Sequence, residues 1–127
     1  VEDTCLVIDA YWNWLPGPLI KWFIQDKDKW LQNIVDYTRL KNKFSATAIT
    51  TIGLHLNWEN HFFKWEIEWD ISDKLIWNNS FGWDDIFQPN GLDETFAAMG
   101  SDFKPEFSMR TQAFNGLKLH LQNNSML

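Results

Sequence analysis

Alternating side chains between residues 63 and 71 predict the clearest element of the chain, a β-strand. Every second residue there is apolar, namely Phe63, Trp65, Ile67, Trp69 and Ile71. The residues between them are Lys64, Glu66, Glu68 and Asp70. Because successive side chains of a strand point to opposite faces, one face is predicted to be buried and the other acidic and solvated. We interpret the acidic face as a wet sheet surface in preference to a metal site.

Two further segments have the composition of strands, and two have that of loops. The apolar run from Cys5 to Ile8 is typical of a short buried strand. The segment from Phe44 to Leu56 is rich in Thr, Ile and Ala, which also favours a strand. Two prolines and a glycine predict an unpaired loop from Leu15 to Pro18, and the segment from Gln88 to Gly91 has the residues of a tight turn.

Helical spacing of apolar residues predicts helices from Leu19 to Ile24, from Trp30 to Tyr37 and from Glu106 to Leu121. Asp93 can cap a further short helix that runs to Met99. Strands interleaved with helices indicate an α/β or mixed α+β domain in which helices flank a twisted mixed sheet. No linker, low-complexity tract or internal repeat marks a boundary, so residues 1–127 are predicted to form a single domain.

Composition and charge narrow the classes of function. Hydrophobic residues make up 45% of the 127 residues, enough for a core, and no run approaches the ~20 apolar residues of a membrane span. The net charge of −6 disfavours a protein that binds the phosphate backbone of nucleic acids. The net charge does not exclude a small anionic substrate, because a metal ion can supply the positive charge that the chain lacks.

The only cysteine, Cys5, indicates a reducing compartment. One cysteine excludes an internal disulfide framework and fits a cytoplasmic protein. The first residues also lack the basic start and apolar run of a secretory signal. We interpret Cys5 as a small buried hydrophobic residue in preference to a catalytic thiol.

Three segments together resemble the inosine-triphosphate pyrophosphatase family. Val1 to Leu6 has the sequence VEDTCL, similar to the acidic VEDT-x-L strand of that family. Leu15 to Phe23 has LPGPLIKWF, where the family has LPGPYIKWF. Phe81 to Met99 contains FGWD, FQP, a glycine and TFAAM, similar to the family's FGWDPxFxPxG…TFAEM block. The order and spacing of the segments agree with the family from residue 1 to about residue 119.

The resemblance implies a Mg²⁺-dependent hydrolase that converts ITP, dITP or XTP to the monophosphate and pyrophosphate and so removes non-standard purines. This reaction needs carboxylates that hold Mg²⁺ and orient a water, and cations that neutralise phosphate charge. The resemblance makes Asp3 the catalytic residue and metal ligand, with Glu2 beside it as a second metal candidate. It also places Thr4 near the nucleotide and Lys21 on the phosphates. Because Glu2 and Asp3 point to opposite faces of a strand, Asp3 is the stronger candidate.

The resemblance further implies a pocket for the base, formed by Phe81, Gly82, Trp83, Asp84, Lys104, Ser108, Met109 and Arg110. Phe81 supplies a stacking face, and Trp83 and Asp84 line the pocket. Lys104 and Arg110 donate hydrogen bonds to the 6-keto oxygen of the base. Adenine carries a donor amino group there, so the two cations disfavour ATP. Without the motif, Phe81 and Trp83 would be interpreted as core aromatics.

The sequence departs from the family pattern in two places. Met109 replaces a histidine that helps to hold the base, and methionine offers almost no hydrogen bonding. Pro105 replaces an asparagine and has no backbone N–H to donate. Family members also begin with a strand and a TGNxxK loop that cradles the triphosphate, followed by a metal-binding glutamate, and the sequence contains neither. We therefore predict weak or absent activity for the 127-residue chain, and a homodimer for the intact protein, as in the family.

Nine tryptophans stand beside six glycines, and several of them occupy positions where the family has glycine. These are Trp12, Trp14, Trp65, Trp69 and Trp77, and Trp30 and Trp58 are similar. Only Trp22 and Trp83 stand where the family itself has tryptophan. Glycine in turns supplies a positive φ or a close backbone approach, which an indole cannot supply. We hypothesise that UGA codons for glycine were translated as tryptophan, and the alternative is that these are true core or surface aromatics.

Two other functions stay open. A non-catalytic nucleotide-binding remnant would bind ITP with Mg²⁺ without turning it over. A carbohydrate-binding module would stack sugars on exposed indoles of Trp12, Trp14 and Trp77.

Overall fold

A computed structural model describes residues 1–12, 14–75, 83–90, 95, 98 and 109–124. Its elements in chain order are β1 (Glu2–Ile8), β2 (Pro16–Gly17), α1 (Ile20–Phe23), α2 (Lys27–Lys41), β3 (Ser45–Leu56), β4 (Glu59–Ile71), β5 (Phe87–Gln88) and α3 (Met109–Asn123). The strands form one sheet in the order β2-β1-β3-β4-β5. The predicted α/β class is confirmed, and each pairing in the described part is antiparallel where a mixed sheet was expected.

β3 and β4 form a long hairpin at the centre of the sheet, and Leu56 pairs with Glu59 at its closed end. Asn57 and Trp58 make the whole connection, with φ angles of 52° and 67°. Positive φ at both residues of a two-residue loop is the mark of a type I′ turn, whose twist follows that of the flanking strands. Both strands were predicted, but the turn was not, and β4 begins earlier than the predicted strand.

The alternation predicted for β4 is confirmed. On its apolar side burial increases along the strand, from half-buried Phe63 and Ile67 to buried Trp69 and Ile71. Trp65 is the exception on this side, because 46% of it stays exposed. The charged residues of the other side are all exposed: Lys64, Glu66, Glu68 and Asp70.

The core lies between one face of the sheet and α2. The helix contributes Leu31, Ile34 and Val35, whose spacing places them on one side of it. The sheet contributes Leu6 and Ile8, among others, and neither has exposed surface. We call this side of the sheet the helical face.

α3 packs on the same face, against β3 and β4. Ala113 of the helix is buried, and the ring of His120 lies 5.3 Å from that of Phe63. The opposite side of the sheet, which we call the acidic face, carries Glu66 and Glu68 together with the odd-numbered residues of β1. The strand register thus separates an apolar, helix-covered face from a charged one.

The prediction of an unpaired loop from Leu15 to Pro18 is wrong at its centre. Pro16 and Gly17 pair with β1 as the short strand β2, and the N–H of Ile8 donates to the carbonyl of Leu15 at 3.0 Å. Proline is tolerated because β2 lies at an edge of the sheet, where a missing N–H leaves no inner ladder bond unmade.

Gly17 has a φ of 55°, a conformation that favours glycine. A Cβ at this position would lie 2.8 Å from the carbonyl oxygen of Trp14, closer than such atoms approach in folded proteins. The turn before α1 is therefore built around this glycine.

The helices differ from their predicted bounds mainly at their ends. α1 is shorter than predicted and α2 is longer, ending at Asn42, whose φ of 50° is left-handed and whose N–H donates to the carbonyl of Arg39. The described part of α3 runs from Met109 to Asn123, two residues beyond the predicted end, and the predicted residues 106–108 lie outside the described part. Gln88, predicted in a turn, is a strand residue that pairs with Asp70.

Most of the short helix predicted between residues 93 and 99 lies outside the described residues. Within the described part, no helix is long and apolar enough to cross a membrane.

Candidate functional site

β1 carries three of the predicted site residues in succession and turns them to alternate faces of the sheet. The even-numbered residues of β1 point to the same face as the core residue Leu6, so Glu2 and Thr4 lie on the helical face. The odd-numbered residues Asp3 and Cys5 point to the opposite side, so Asp3 lies on the acidic face. The two predicted metal-binding carboxylates therefore do not converge on one point.

Glu2 is joined to the last described helix by an ion pair. Its Oε1 lies 2.6 Å from Nε of Arg110, and the two side chains are 28% and 53% exposed. The contact forms because α3 crosses the helical face with its first turn over the start of β1. It brings together two residues that the family resemblance assigns to different ends of a nucleotide.

Thr4 forms a hydrogen bond to β3. Its hydroxyl oxygen is 3.2 Å from that of Thr50, and either group can donate. Thr50 is fully buried, so the bond holds the side chain of Thr4 against β3. Sequence analysis did not single out Thr50, because only the strand register reveals that it lies opposite Thr4.

Asp3 is the negative charge that most affects the thiol of Cys5. Burial raises the pKa of Cys5, and Asp3 raises that pKa further, because a nearby negative charge opposes formation of the thiolate. Lys64 lowers the pKa and Glu66 raises it, so charges from β4 also reach this thiol. The raised pKa keeps Cys5 a neutral thiol near pH 7, which agrees with its interpretation as a non-catalytic residue.

Lys21 lies on α1 and is exposed. Its Nζ sits 5.1 Å from the ring centre of Trp22, a cation–π contact at the surface. Because β2 runs antiparallel to β1, the chain after Gly17 returns toward the start of β1. The register therefore carries α1 toward the end of β1 that holds Asp3.

The predicted base pocket is described only in part. Trp83 and Asp84 are half-buried, and Trp83 packs against the core. The indole N–H of Trp83 is buried and has no hydrogen-bond partner in the part of the chain that the structure describes. Four predicted pocket residues lie outside the described part, namely Phe81, Gly82, Lys104 and Ser108. Met109 begins α3, but its side chain is not described.

Asp3 fits the role of a metal ligand as far as its own surroundings go. Its carboxylate is exposed, and no ion pair between described residues neutralises it. No group of three His, Cys, Asp or Glu side chains arranged to hold a metal occurs in the described ranges. Mg²⁺ commonly binds through one or two carboxylates plus the phosphates of its substrate, so a single exposed carboxylate suits it.

A cavity of about 550 Å³ opens on the acidic face, beyond the end of β1. Tyr11 and Trp14 form its aromatic walls, and Lys43, Glu66 and Glu68 supply charge. Burial raises the pKa of Tyr11, so its hydroxyl stays protonated. The cavity could not be predicted from the sequence, because its lining combines strand residues with residues of the connecting segments, and the pattern does not give the register that brings them together.

The tryptophans needed by a carbohydrate-binding site are only partly described. Trp12 is 82% exposed and Trp14 is 72% exposed. Trp77 lies outside the described residues.

Comparison with known proteins finds a matching family model and relatives that share one name. A model of the Ham1 family matches residues 1–120. The chain is 39% identical over 120 residues to an inosine triphosphate pyrophosphatase of Scheffersomyces stipitis, covering 93% of this chain and 60% of the relative. It is 42% identical over 123 residues to one of Candida glabrata, covering 95% of this chain and 62% of the relative. The chain thus spans about 60% of the length of these curated relatives.

Solved structures share the fold. The Ham1 protein of Staphylococcus aureus superposes with a TM-score of 0.84 at 24% identity, over 97% of this chain and 66% of that protein. A HAM1 protein of Coxiella burnetii gives the same TM-score at 23% identity, with the same coverage of both chains. At this level of identity the likeness establishes architecture alone.

Proposed function

Because the chain belongs to the Ham1 family, we propose that it serves the hydrolysis of ITP, dITP and XTP to the nucleoside monophosphate and pyrophosphate. In this reaction water breaks the anhydride bond between the α- and β-phosphates and gives up a proton. Two curated relatives carry the name inosine triphosphate pyrophosphatase, which supports hydrolysis of an acid anhydride as the reaction class.

The contact between Glu2 and Arg110 is the observation that supports this proposal most strongly. It joins β1, whose residues are proposed to bind the metal and the phosphates, to α3, whose Arg110 is proposed to bind the base. A nucleotide needs both sets of groups within its own length, and these two elements come from opposite ends of the chain. They meet on the helical face, whereas Asp3 lies on the acidic face, so a nucleotide bound by both Arg110 and Asp3 has to pass around the start of β1.

In the proposed site the residues of β1 and α1 act on the phosphates. Bound Mg²⁺ would neutralise phosphate charge and make water a better nucleophile. Asp3 holds the cation or accepts the proton of the attacking water, and its exposed carboxylate is free to do either. Glu2 is the weaker metal candidate, because Arg110 already neutralises its charge. Lys21 supplies a positive charge to the phosphates.

Selection of the base falls to the other half of the site. Arg110 and Lys104 donate to the 6-keto oxygen that ITP and XTP carry, while the amino group of ATP would place donor against donor. Trp83 and Asp84 line the pocket, with Gly82 and Ser108 in the same motifs, and Phe81 stacks on the base. Since Met109 contributes almost no hydrogen bonding, the two cations carry the discrimination.

We further propose that the intact protein is a cytoplasmic homodimer. The family resemblance supports a homodimer, which sedimentation of the purified protein tests. A lone cysteine, half-buried and not in a disulfide, supports a cytoplasmic location.

The decisive experiment measures release of pyrophosphate from ITP, dITP, XTP and ATP, with and without Mg²⁺. We expect Mg²⁺-dependent turnover of the first three by the intact protein, and weak or absent turnover by the 127-residue chain alone. In the intact protein, Asp3→Asn should lower the rate on the order of 10²- to 10³-fold, the range for losing one electrostatic partner of a transition state. Asp70→Asn is the matched control, since Asp70 is an exposed acid on the same face. We expect it to leave the rate unchanged.

Three outcomes would count against the proposal. Asp3→Asn with undiminished turnover would remove Asp3 from the chemistry. Binding of ITP with Mg²⁺ but without pyrophosphate would identify a non-catalytic nucleotide-binding protein. Binding of a glycan that Trp14→Ala abolishes would favour a carbohydrate-binding module.

A further inference from the structure

Two tryptophans stand at tight turns, each after an asparagine in the sequence, and the first of them is in the loop of the central hairpin. Asn57 and Trp58 are its only two residues, and both have positive φ. A type I′ loop requires this conformation at both positions, and Asn-Gly is its most favoured pair. Asparagine tolerates the left-handed region, whereas tryptophan at the second position is an outlier.

The second tryptophan lies before β2. The N–H of Leu15 donates to the carbonyl of Trp12 at 3.4 Å, which closes a four-residue turn with Trp14 in its third position. Trp14 has a φ of 66°. Turns with positive φ at the third position are of type II or I′, and both favour glycine there. In sequence Trp14 follows Asn13, as Trp58 follows Asn57.

Neither indole gains packing that would offset its backbone conformation. Trp58 is 95% exposed, and its one described ring contact is with His55, at 6.4 Å between ring centres. Trp14 is 72% exposed. Trp69 differs in both respects, because it is 9% exposed, packs 4.8 Å from the ring of Phe87 and lies in a regular strand.

The positive-φ residues of the described part single out the same two positions. They are Trp14, Asn42, Asn57, Trp58 and Gly17. Glycine and asparagine are the residue types that adopt this conformation routinely, so two tryptophans are the anomaly. The chain also has nine tryptophans and only six glycines.

We infer that residues 14 and 58 are glycine in the protein that the cell makes, encoded by UGA codons that its ribosomes translate as glycine. UGA differs by one base from the glycine codon GGA and by one base from the tryptophan codon UGG. Translating such a gene with UGA as tryptophan would place an indole at each glycine encoded by UGA and would leave glycines with other codons, such as Gly17, unchanged. The inference is independent of the proposed function, because it rests on backbone conformation alone.

The change alters a surface as well as two turns. Trp14 lines the cavity on the acidic face, together with Lys43 and Glu68. With glycine at position 14 that wall disappears, and the cavity becomes an open shelf beside Tyr11. Glycine at position 58 leaves the hairpin end without its most exposed aromatic ring.

Two measurements on the native gene and protein test the inference. The coding DNA should have UGA at codons 14 and 58. Peptide mass spectrometry of protein purified from its own cells should give glycine at both positions. UGG at these codons, or the mass of tryptophan in these peptides, overturns the inference, and each position is decided by its own codon and peptide.

Thermal unfolding of variants of the chain supplies a physical test of the same idea. Trp58→Gly and Trp14→Gly should each raise the midpoint by several degrees, because they relieve a left-handed tryptophan. Trp22→Gly is the control, since Trp22 is 58% exposed but lies in helix α1, where glycine is unfavourable. Its midpoint should not rise. A lower midpoint for Trp58→Gly would contradict the requirement for glycine in the hairpin.

Discussion

Arg110 forms an ion pair with Glu2 on the helical face, at the start of β1, and its Nε lies 2.6 Å from Oε1 of Glu2. The pair ties the first turn of α3 to the first residue of the strand and holds the two halves of the proposed nucleotide site in register. Arginine suits this position because its guanidinium keeps further N–H donors for a second acceptor while one is engaged.

Removing the guanidinium should change base selection more than stability. We expect Arg110→Ala to lower kcat/KM for ITP by about 10- to 100-fold, the loss of one specific hydrogen bond to the base, while kcat/KM for ATP changes far less. Lys118→Ala is the control, because Lys118 is an exposed cation on the same helix. Equal losses for ITP and ATP would show that Arg110 does not contact the base.

The ion pair itself should contribute little to folding. Because both side chains retain solvent contact, a double-mutant cycle with Glu2→Gln and Arg110→Gln should give a coupling of about 0.2–1 kcal/mol in urea unfolding. The coupling should weaken in high salt. A value of several kcal/mol would mean that the pair is shielded from water by parts of the protein outside the described residues.

The thiol of Cys5 offers a reporter for a cation at Asp3. Burial and the charge of Asp3 raise the pKa of Cys5, so iodoacetamide should alkylate it slowly at pH 8, where little thiolate exists. Asp3→Asn removes one cause of the raised pKa and should speed alkylation. Mg²⁺ bound at Asp3 should have the same effect in the unsubstituted protein.

The control for that reporter is Asp3→Asn itself, in which Mg²⁺ should no longer matter. K⁺ at matched ionic strength separates specific binding from screening. If Mg²⁺ leaves the alkylation rate of the unsubstituted protein unchanged, Asp3 is not a cation ligand in the absence of nucleotide.

Two glycines should respond to alanine in opposite directions. Gly17→Ala places a Cβ 2.8 Å from the carbonyl of Trp14 at a positive φ, so we expect a loss of about 1–3 kcal/mol in the free energy of unfolding. Gly116 lies inside α3, where an added Cβ meets Phe63 at an ordinary 3.7 Å. Gly116→Ala should therefore raise the free energy of unfolding by about 0.5–1 kcal/mol. Urea denaturation measures both, and a stabilising Gly17→Ala would contradict the structure.

Much of the architecture could be predicted because it depends on local pattern. The alternation of Phe63 to Ile71 and the apolar run of Cys5 to Ile8 identify strands whatever their neighbours are. Register could not be predicted, because it depends on which strands meet, and the pairing of Thr4 with Thr50 and the cavity on the acidic face both follow from it.

The hairpin turn escaped prediction for a chemical reason. A two-residue loop between long strands is usually recognised by the sequence Asn-Gly. Here tryptophan follows Asn57, so that pattern is absent from the sequence. β2 was not predicted because it contains proline, which is disfavoured inside a sheet but tolerated in an edge strand. For the site, motif resemblance selected Glu2 and Arg110 but did not predict that they touch.

The order of the strands has a consequence for the newborn chain. β1 is synthesised before β3, its partner, and the pairing joins residues as distant in sequence as Leu6 and Ala48. The hairpin of β3 and β4 closes locally and can form early, so β1 has to wait with its apolar run exposed to other nascent chains. Glu2 and Asp3 precede that run with only Thr4 between, and their like charges repel a second copy of the same segment. We therefore expect the two acids of the proposed site to hinder aggregation of the unfolded chain as well.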